Sequence, residues 1–295
     1  MIKPTGIRAI FVSTVFPLLA ISAPAFAETI DGSAVTVATV EGLSRPEAVR
    51  YDPELDVFFV ANFNGDAAGD ANGFVSKVSA DGEILALRFM QGSERWPFHG
   101  GRGMYVDGRG LWVLDAGGAH FFDRRSGEQL DFVDFSEFEP GFLNDIVMAN
   151  DGTLYVTDTG TNSLYRMADG SVSLAAKTPV PANGITLNPD TGRLLLMPWR
   201  GALEFYEWDI ESGKFTLMGK ANGGGNFDGV EFVDGAVLSA SQADSSLHLM
   251  KGGVDKQFMT LPGRPADIGI DTKRNRVAVP YVALDRVDIL LLDDS

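Results

Sequence analysis

From about residue 46 onward the hydrophobic pattern of this chain repeats. A short segment of alternating apolar and polar positions leads into a turn rich in Asp, Gly or Pro, and then into a strongly β-prone run. The unit is read at residues 46–60 (PEAVRYDPELDVFFV), 101–115 (GRGMYVDGRGLWVLD), 144–158 (NDIVMANDGTLYVTD), 183–197 (NGITLNPDTGRLLLM), 228–239 (DGVEFVDGAVLS) and 266–279 (ADIGIDTKRNRVAV). A further β-prone run follows each pair, at 73–78, 119–123, 163–167, 203–209, 247–250 and 286–292. Polar turns at 80–83, 125–128 and 211–214 then reverse the chain.

Aligning the apolar alternation places Glu47, Arg102, Asn144, Asn183, Asp228 and Ala266 at equivalent positions, roughly 40 to 55 residues apart. That spacing suits a four-stranded sheet whose apolar faces only neighbouring sheets can cover, and six such sheets predict an all-β, six-bladed β-propeller. The last copy runs out after its third strand. A strand over residues 34–40 is expected to pair into it, close the ring and cover an open edge.

Before that strand, Lys3 and Arg8 head an apolar stretch that ends in Ala25-Phe26-Ala27, the small-x-small form cut by signal peptidase. Ser13, Thr14, Pro17, Ser22 and Pro24 interrupt the stretch, which makes it too broken for a stable membrane anchor. The expectation is a cleaved signal peptide over 1–27, a single propeller domain over 28–295, and an exported protein, periplasmic or secreted. Cleavage removes two positive charges and takes the formal charge from −16 to −18. An acidic surface of that size disfavours nucleic acid and anionic lipid. With no cysteine in the chain, disulfides, a thiolate nucleophile and a cysteine-linked lipid are all excluded.

Radial closure would bring the six equivalent positions to the axis, and four of them carry oxygen: Glu47, Asn144, Asn183 and Asp228. Two carboxylates and two amides make a suitable set for a hard divalent cation, Ca²⁺ first, with Zn²⁺, Mn²⁺ and Mg²⁺ as alternatives. Arg102 and Ala266 are the exceptions. A plain wet channel would also carry small and polar groups, but recurrence at one structural position favours a metal site.

Pro46-Glu47-Ala-Val, Leu143-Asn144-Asp-Ile, Ala182-Asn183-Gly-Ile and Phe227-Asp228-Gly-Val together resemble the senescence marker protein-30/gluconolactonase family of six-bladed propellers. Paraoxonase and diisopropyl-fluorophosphatase are more distant likenesses, and the resemblance spans residues 34 to 293. It implies that Glu47, Asn183 and Asp228 bind a catalytic divalent ion. It also implies that Asn144 contacts substrate, a metal-bound water or the metal itself. The sequence departs from the family at Arg45-Pro46-Glu47, where Glu-Gly-Pro is common, and at Phe142, where members acting on sugar lactones carry Arg.

The expected activity is metal-dependent hydrolysis of a lactone or related ester, a small-molecule substrate, with Asp228 as base toward water. His99, in the run Trp96-Pro-Phe-His-Gly, is a candidate proton shuttle, although a surface or backbone-bonded histidine is the commoner outcome. Arg102, Phe142, Trp199 and Phe227 are candidate substrate contacts beside Asn144. The alternative is a noncatalytic propeller that binds a protein or polymer around a structural ion. No specific protein partner is read from the sequence. Residues 66–73 have an Asp/Asn spacing that faintly suggests a calcium loop, but they lack the Glu and flanking helices of an EF-hand and are expected to form a turn.

Overall fold

In the computed structural model the described residues are 34–67, 69–233 and 235–292. The signal-peptide reading of 1–27 lies outside them. Six four-stranded antiparallel sheets follow one another along the chain as blades. Blade 1 comprises Pro46–Asp52, Val57–Asn62, Phe74–Ser79 and Ile84–Gln91, in that order from axis to rim. Blades 2 to 5 repeat the plan from Met104–Val106, Leu143–Met148, Ala182–Leu187 and Phe227–Val233 as their innermost strands.

Blade 6 is assembled from both ends of the described chain. Gly269–Asp271, Arg276–Tyr281 and Arg286–Leu292 supply its first three strands, and Ala34–Val40 its outermost one. The pairing runs from Ala34 opposite Leu292 to Val40 opposite Val287, with one irregularity between Thr36 and Ala38. The expected closure strand is therefore present with its expected bounds. Residues 66, 67 and 69–73 lie in the connection between the second and third strands of blade 1, as the turn reading anticipates.

Six apolar clusters fill the six interfaces between blades. The second strand of blade 1 shows how alternation builds two of them at once: Phe58 and Val60 face Ala278, Val287 and Ile289 of blade 6. Val57, Phe59 and Ala61 face Met104, Leu111 and Phe122 of blade 2. Both faces of a middle strand are buried, so the sequence there reads as an unbroken apolar run. The outermost strands have only one covered face. Their pattern alternates, as in Ile84–Gln91, where Leu85 and Leu87 are exposed while Met90 is buried.

Turn chemistry fixes the hairpins. Asp52, Asp107, Asp123 and Asp271 each accept backbone N–H bonds from residues two and three positions on, closing the connections on one side of the ring. On the opposite side, Asp158 at the end of its strand accepts from the backbone N–H of Gly141, Phe142 and Gly160. This last set places a wall of the site described next.

Candidate functional site

The four oxygen-bearing ring residues sit where their strands break register. In blades 1, 3, 4 and 5 the pairing of the innermost strand with its neighbour is interrupted between Pro46 and Ala48, Leu143 and Ile146, Ala182 and Ile185, and Phe227 and Val230. Glu47, Asn144, Asn183 and Asp228 fall inside those interruptions. A bulge frees backbone groups from their own blade and turns side chains off the sheet plane. Some of the freed groups bond to neighbouring blades: Asp267 N donates to Glu47 O at 2.9 Å, and Gly103 N to Asn144 O at 2.9 Å.

Crowding at the axis explains the small residues that follow the ring positions. A Cβ on Gly184 would lie 2.0 Å from Asp228 O, and one on Gly229 would lie 2.2 Å from Ile268 N. Ala48 and Gly103 hold the same place in blades 1 and 2. Only blades 3 and 6 carry a larger residue there, Asp145 and Asp267, and both are buried.

Above the ring opens a cavity of about 360 Å³, lined by Glu47, Asn144, Asn183 and Asp228 together with Phe142 and Trp199. Phe63, Thr159, Arg200, Gln242, Ala266 and Val282 complete much of its wall. One oxygen each on Glu47 (Oε2), Asn183 (Oδ1) and Asp228 (Oδ1) is buried without a hydrogen-bond partner. Buried oxygens ordinarily find partners, because an unmet one costs roughly 1–3 kcal/mol. Three such atoms lining one cavity, two on carboxylates and one on an amide, fit a hard divalent cation. Among the described residues no group of three His, Cys, Asp or Glu forms a metal cage. The donors here are mixed carboxylate and amide.

The electrostatics agree. Burial, then repulsion from Asp228, holds the Glu47 carboxyl well above its ordinary value against the pull of Arg102. Burial and the charge on Asp145 push Asp228 up to about 7, opposed by donors on Gln242 and Asn183. A proton or a cation must therefore offset this pair.

The remaining sequence-predicted residues lie apart from the cavity lining. Arg102 is buried behind the wall, where it donates to Leu143 O at 2.7 Å and to Ala67 O at 2.8 Å. Its guanidinium lies 3.7 Å from the centre of the Phe142 ring. Arg102 thus supports Phe142 and acts electrostatically on Glu47 from below the surface. Phe227 is wholly buried between blades 4 and 5, edge-to-face with Phe205 at 5.3 Å and His248 at 5.5 Å. Alternation decides this, since its neighbour Asp228 takes the axial direction. His99 turns its ring to residues 69–71, its Nδ1 accepting from Ala71 N at 3.1 Å, while its own N donates to Asp115 Oδ2 at 3.0 Å.

Gln242 was not anticipated. It follows the second strand of blade 5, and its Nε2 donates to Asp228 Oδ2 at 2.8 Å, which leaves Oδ1 as the free oxygen. No local motif marks it; the signal is its place just past the end of the strand paired with Phe227–Val233.

Fold and site together define a closed six-bladed β-propeller with an oxygen-floored cavity at one mouth of its channel. No family model matches the chain, and no curated protein matches it by sequence. Among solved structures it is similar to a gluconolactonase from Xanthomonas campestris, with a TM-score of 0.69 and 17% identity over 89% of this chain and 90% of that one. It is similar to a putative gluconolactonase at 0.66 and 16%, covering 90% and 93%. A streptogramin B lyase gives 0.63 and 12%, covering 89% and 98%. At these identities the likeness is one of fold.

Proposed function

We propose that this chain is a divalent-metal-dependent hydrolase of a lactone or related ester. The observation that carries the proposal is the set of three unpartnered buried oxygens on Glu47, Asn183 and Asp228 beneath an open cavity. A purely structural ion would be expected to be enclosed by protein, whereas a catalytic one keeps room for substrate and water. Glu47, Asn183, Asp228 and Asn144 would hold the cation, with Ca²⁺ best matched to carboxylate and amide oxygens. A cation held there would supply Lewis acidity to a substrate carbonyl and favour the charge that develops on its oxygen.

The protein supplies the rest. Phe142, Trp199, Phe63 and Val282 give the cavity apolar walls, suited to an acyl or aromatic group. Gln242 holds Oδ2 and so fixes the Asp228 carboxylate with Oδ1 toward the cavity, where the group would contact both the cation and the reacting water and act as base. Solved neighbours named gluconolactonase support hydrolysis, and the lyase among them names the competing bond cleavage.

The test is a panel of small lactones and aryl esters. Turnover should vanish after chelation, return with Ca²⁺, Mn²⁺ or Zn²⁺, and fall at least about 100-fold in Asp228→Asn and Glu47→Gln. Equal rates in the wild type and both variants would reject the site. Incorporation of ¹⁸O from labelled water separates hydrolysis from lyase chemistry. Export belongs to the same reading: protein recovered from the periplasm or medium should begin at Glu28.

A further inference from the structure

Beneath the ring, a single side chain joins five of the six blades. Arg50 lies one strand turn below Glu47 on the same innermost strand, with a side-chain exposure of 12%. Its Nε donates to Met104 O of blade 2 at 2.7 Å, and its Nη1 to Val49 O of blade 1 at 3.1 Å and Ile268 O of blade 6 at 2.5 Å. Nη2 stands 3.3 Å from Asp145 Oδ1 of blade 3 and 3.0 Å from Asp267 Oδ2 of blade 6, while Nη1 stands 3.3 Å from Glu231 Oε1 of blade 5.

The partners of Arg50 are coupled in turn to the upper ring. Asp145 accepts from Ile146 N at 2.8 Å and from Ile185 N at 3.0 Å, which ties the strand carrying Asn144 to the strand carrying Asn183. The backbone of Asp267 brackets Glu47, because Asp267 N donates to Glu47 O and Val49 N donates to Asp267 O at 3.0 Å. Arg50 and Glu231 line a separate cavity of about 160 Å³ that shares no lining residue with the upper one. The guanidinium therefore lies between the candidate ligands and the other mouth of the channel.

Charge favours this arrangement. Asp145 and Asp267 are buried, Glu231 largely so, and a lone carboxylate in that setting would be strongly disfavoured. Arginine suits the place because it stays charged and its planar fork serves several acceptors simultaneously. A lysine would present the same charge at one point.

We infer that Arg50 is a positioning residue and the resident cation of the lower channel. It offsets part of the negative charge of Asp145, Asp267 and Glu231, holds the strands that carry Asn144, Asn183 and Glu47, and restricts an added divalent ion to the upper ring. The last clause rests on the function proposed above; the first two do not.

The experiment compares metal-free wild type, Arg50→Met and Arg50→Lys, each titrated with Ca²⁺ and followed by melting temperature and by bound Ca²⁺ per chain. Wild type should take up one ion. Arg50→Met should melt about 10 °C lower without metal, bind a second ion and regain most of the loss, whereas Arg50→Lys should fall between. A packing role alone would produce no such rescue. An Arg50→Met protein with the wild-type stoichiometry and the wild-type Ca²⁺ shift overturns the inference.

If Arg50→Met does not fold, Arg50→Met/Asp267→Asn should, because one buried negative charge leaves with the positive one. Failure of the double variant as well would assign Arg50 to packing and reject the inference. If wild type binds no Ca²⁺ while Arg50→Met gains a Ca²⁺-dependent recovery, the hydrolase reading fails and the role of Arg50 stands. If wild type binds one ion and the variant behaves identically, the opposite holds.

Discussion

Asp228 has one oxygen held and one left open, and the donor that makes this distinction is Gln242. Side chains that orient a ligand by hydrogen bonding commonly change metal affinity 10- to 100-fold when removed. Gln242→Ala is accordingly expected to weaken Ca²⁺ binding about tenfold by calorimetry while its metal-free melting temperature stays within a few degrees of wild type. A change of less than twofold in affinity would separate Gln242 from the site. The ring residues themselves were visible in the sequence because they recur at one repeat position. Gln242 was invisible because its partner lies on another strand and nothing in the intervening text specifies which side chain reaches back.

His248 illustrates a polar residue whose work is structural. It is buried, with Nδ1 3.0 Å from Asp255 Oδ2 and Nε2 3.0 Å from Asp244 Oδ2. Burial opposes its charge, but the two carboxylates prevail and hold its pKa above the ordinary value. A raised folded-state pKa means that the protonated form is favoured on folding. Its contribution is complete below the unfolded value of about 6.5 and is lost as pH rises through the folded one. Asp255 also accepts from Asn222 N, so the segment leading to Asp228 shares in this interaction. The melting temperature of wild type should fall more steeply between pH 6 and 9 than that of His248→Asn. Parallel curves would show that the imidazole carries no such linkage.

At the level of the strand, the decisive device is the bulge. It gives Glu47, Asn144, Asn183 and Asp228 a common direction and, in blades 1, 4 and 5, leaves almost no volume at the next residue. Gly184→Ala tests this, because the added methyl would lie 2.0 Å from Asp228 O. Overpacking of this kind typically costs about 1–3 kcal/mol. The variant should lose stability by that amount in urea and bind Ca²⁺ more weakly, since the displaced strand carries a candidate ligand. Unchanged affinity at reduced stability would mean that the bulge geometry is not what positions Asp228.

The same elements show where strand-level reading stops. The innermost strands of blades 1, 3, 4 and 5 include their ring residues, whereas those of blades 2 and 6 begin at Met104 and Gly269, after Arg102 and Ala266. Alternation locates a residue on a face of a strand. It says nothing of a segment that precedes the strand, which is why Arg102 runs behind Phe142 and does not enter the cavity. His99, also before a strand, was equally open in the sequence, and its direction is set by contacts with a loop from blade 1.

For the whole molecule, closure is the feature on which the axial site depends. Ala34–Val40 covers the edge of Arg286–Leu292, and Val40 enters the apolar cluster between blades 6 and 1. Replacing residues 34–40 with a polar Gly/Ser segment would expose that edge and open the cluster. Such a variant should melt roughly 10 °C lower and show concentration-dependent aggregation by light scattering. It should also lose Ca²⁺ binding near its midpoint, as Glu47 and Ala266 sit on opposite sides of the seam.

What the sequence by itself determined is everything that repetition encodes: six blades, their four-stranded form, the closing strand, and four oxygens at one equivalent position. These follow from local chemistry, because each unit carries its own alternation and turn residues, and a face left uncovered in one unit requires the next. Tertiary structure alone decided how the channel is organised in depth. The cation of the lower channel, Arg50, reads in sequence as an ordinary polar position on an alternating strand; it becomes an axial residue only when Asp145, Glu231 and Asp267 arrive from three other blades. Charges far apart along the chain interact only after the ring has closed, so their pairing is a property of the closed ring and of no single repeat.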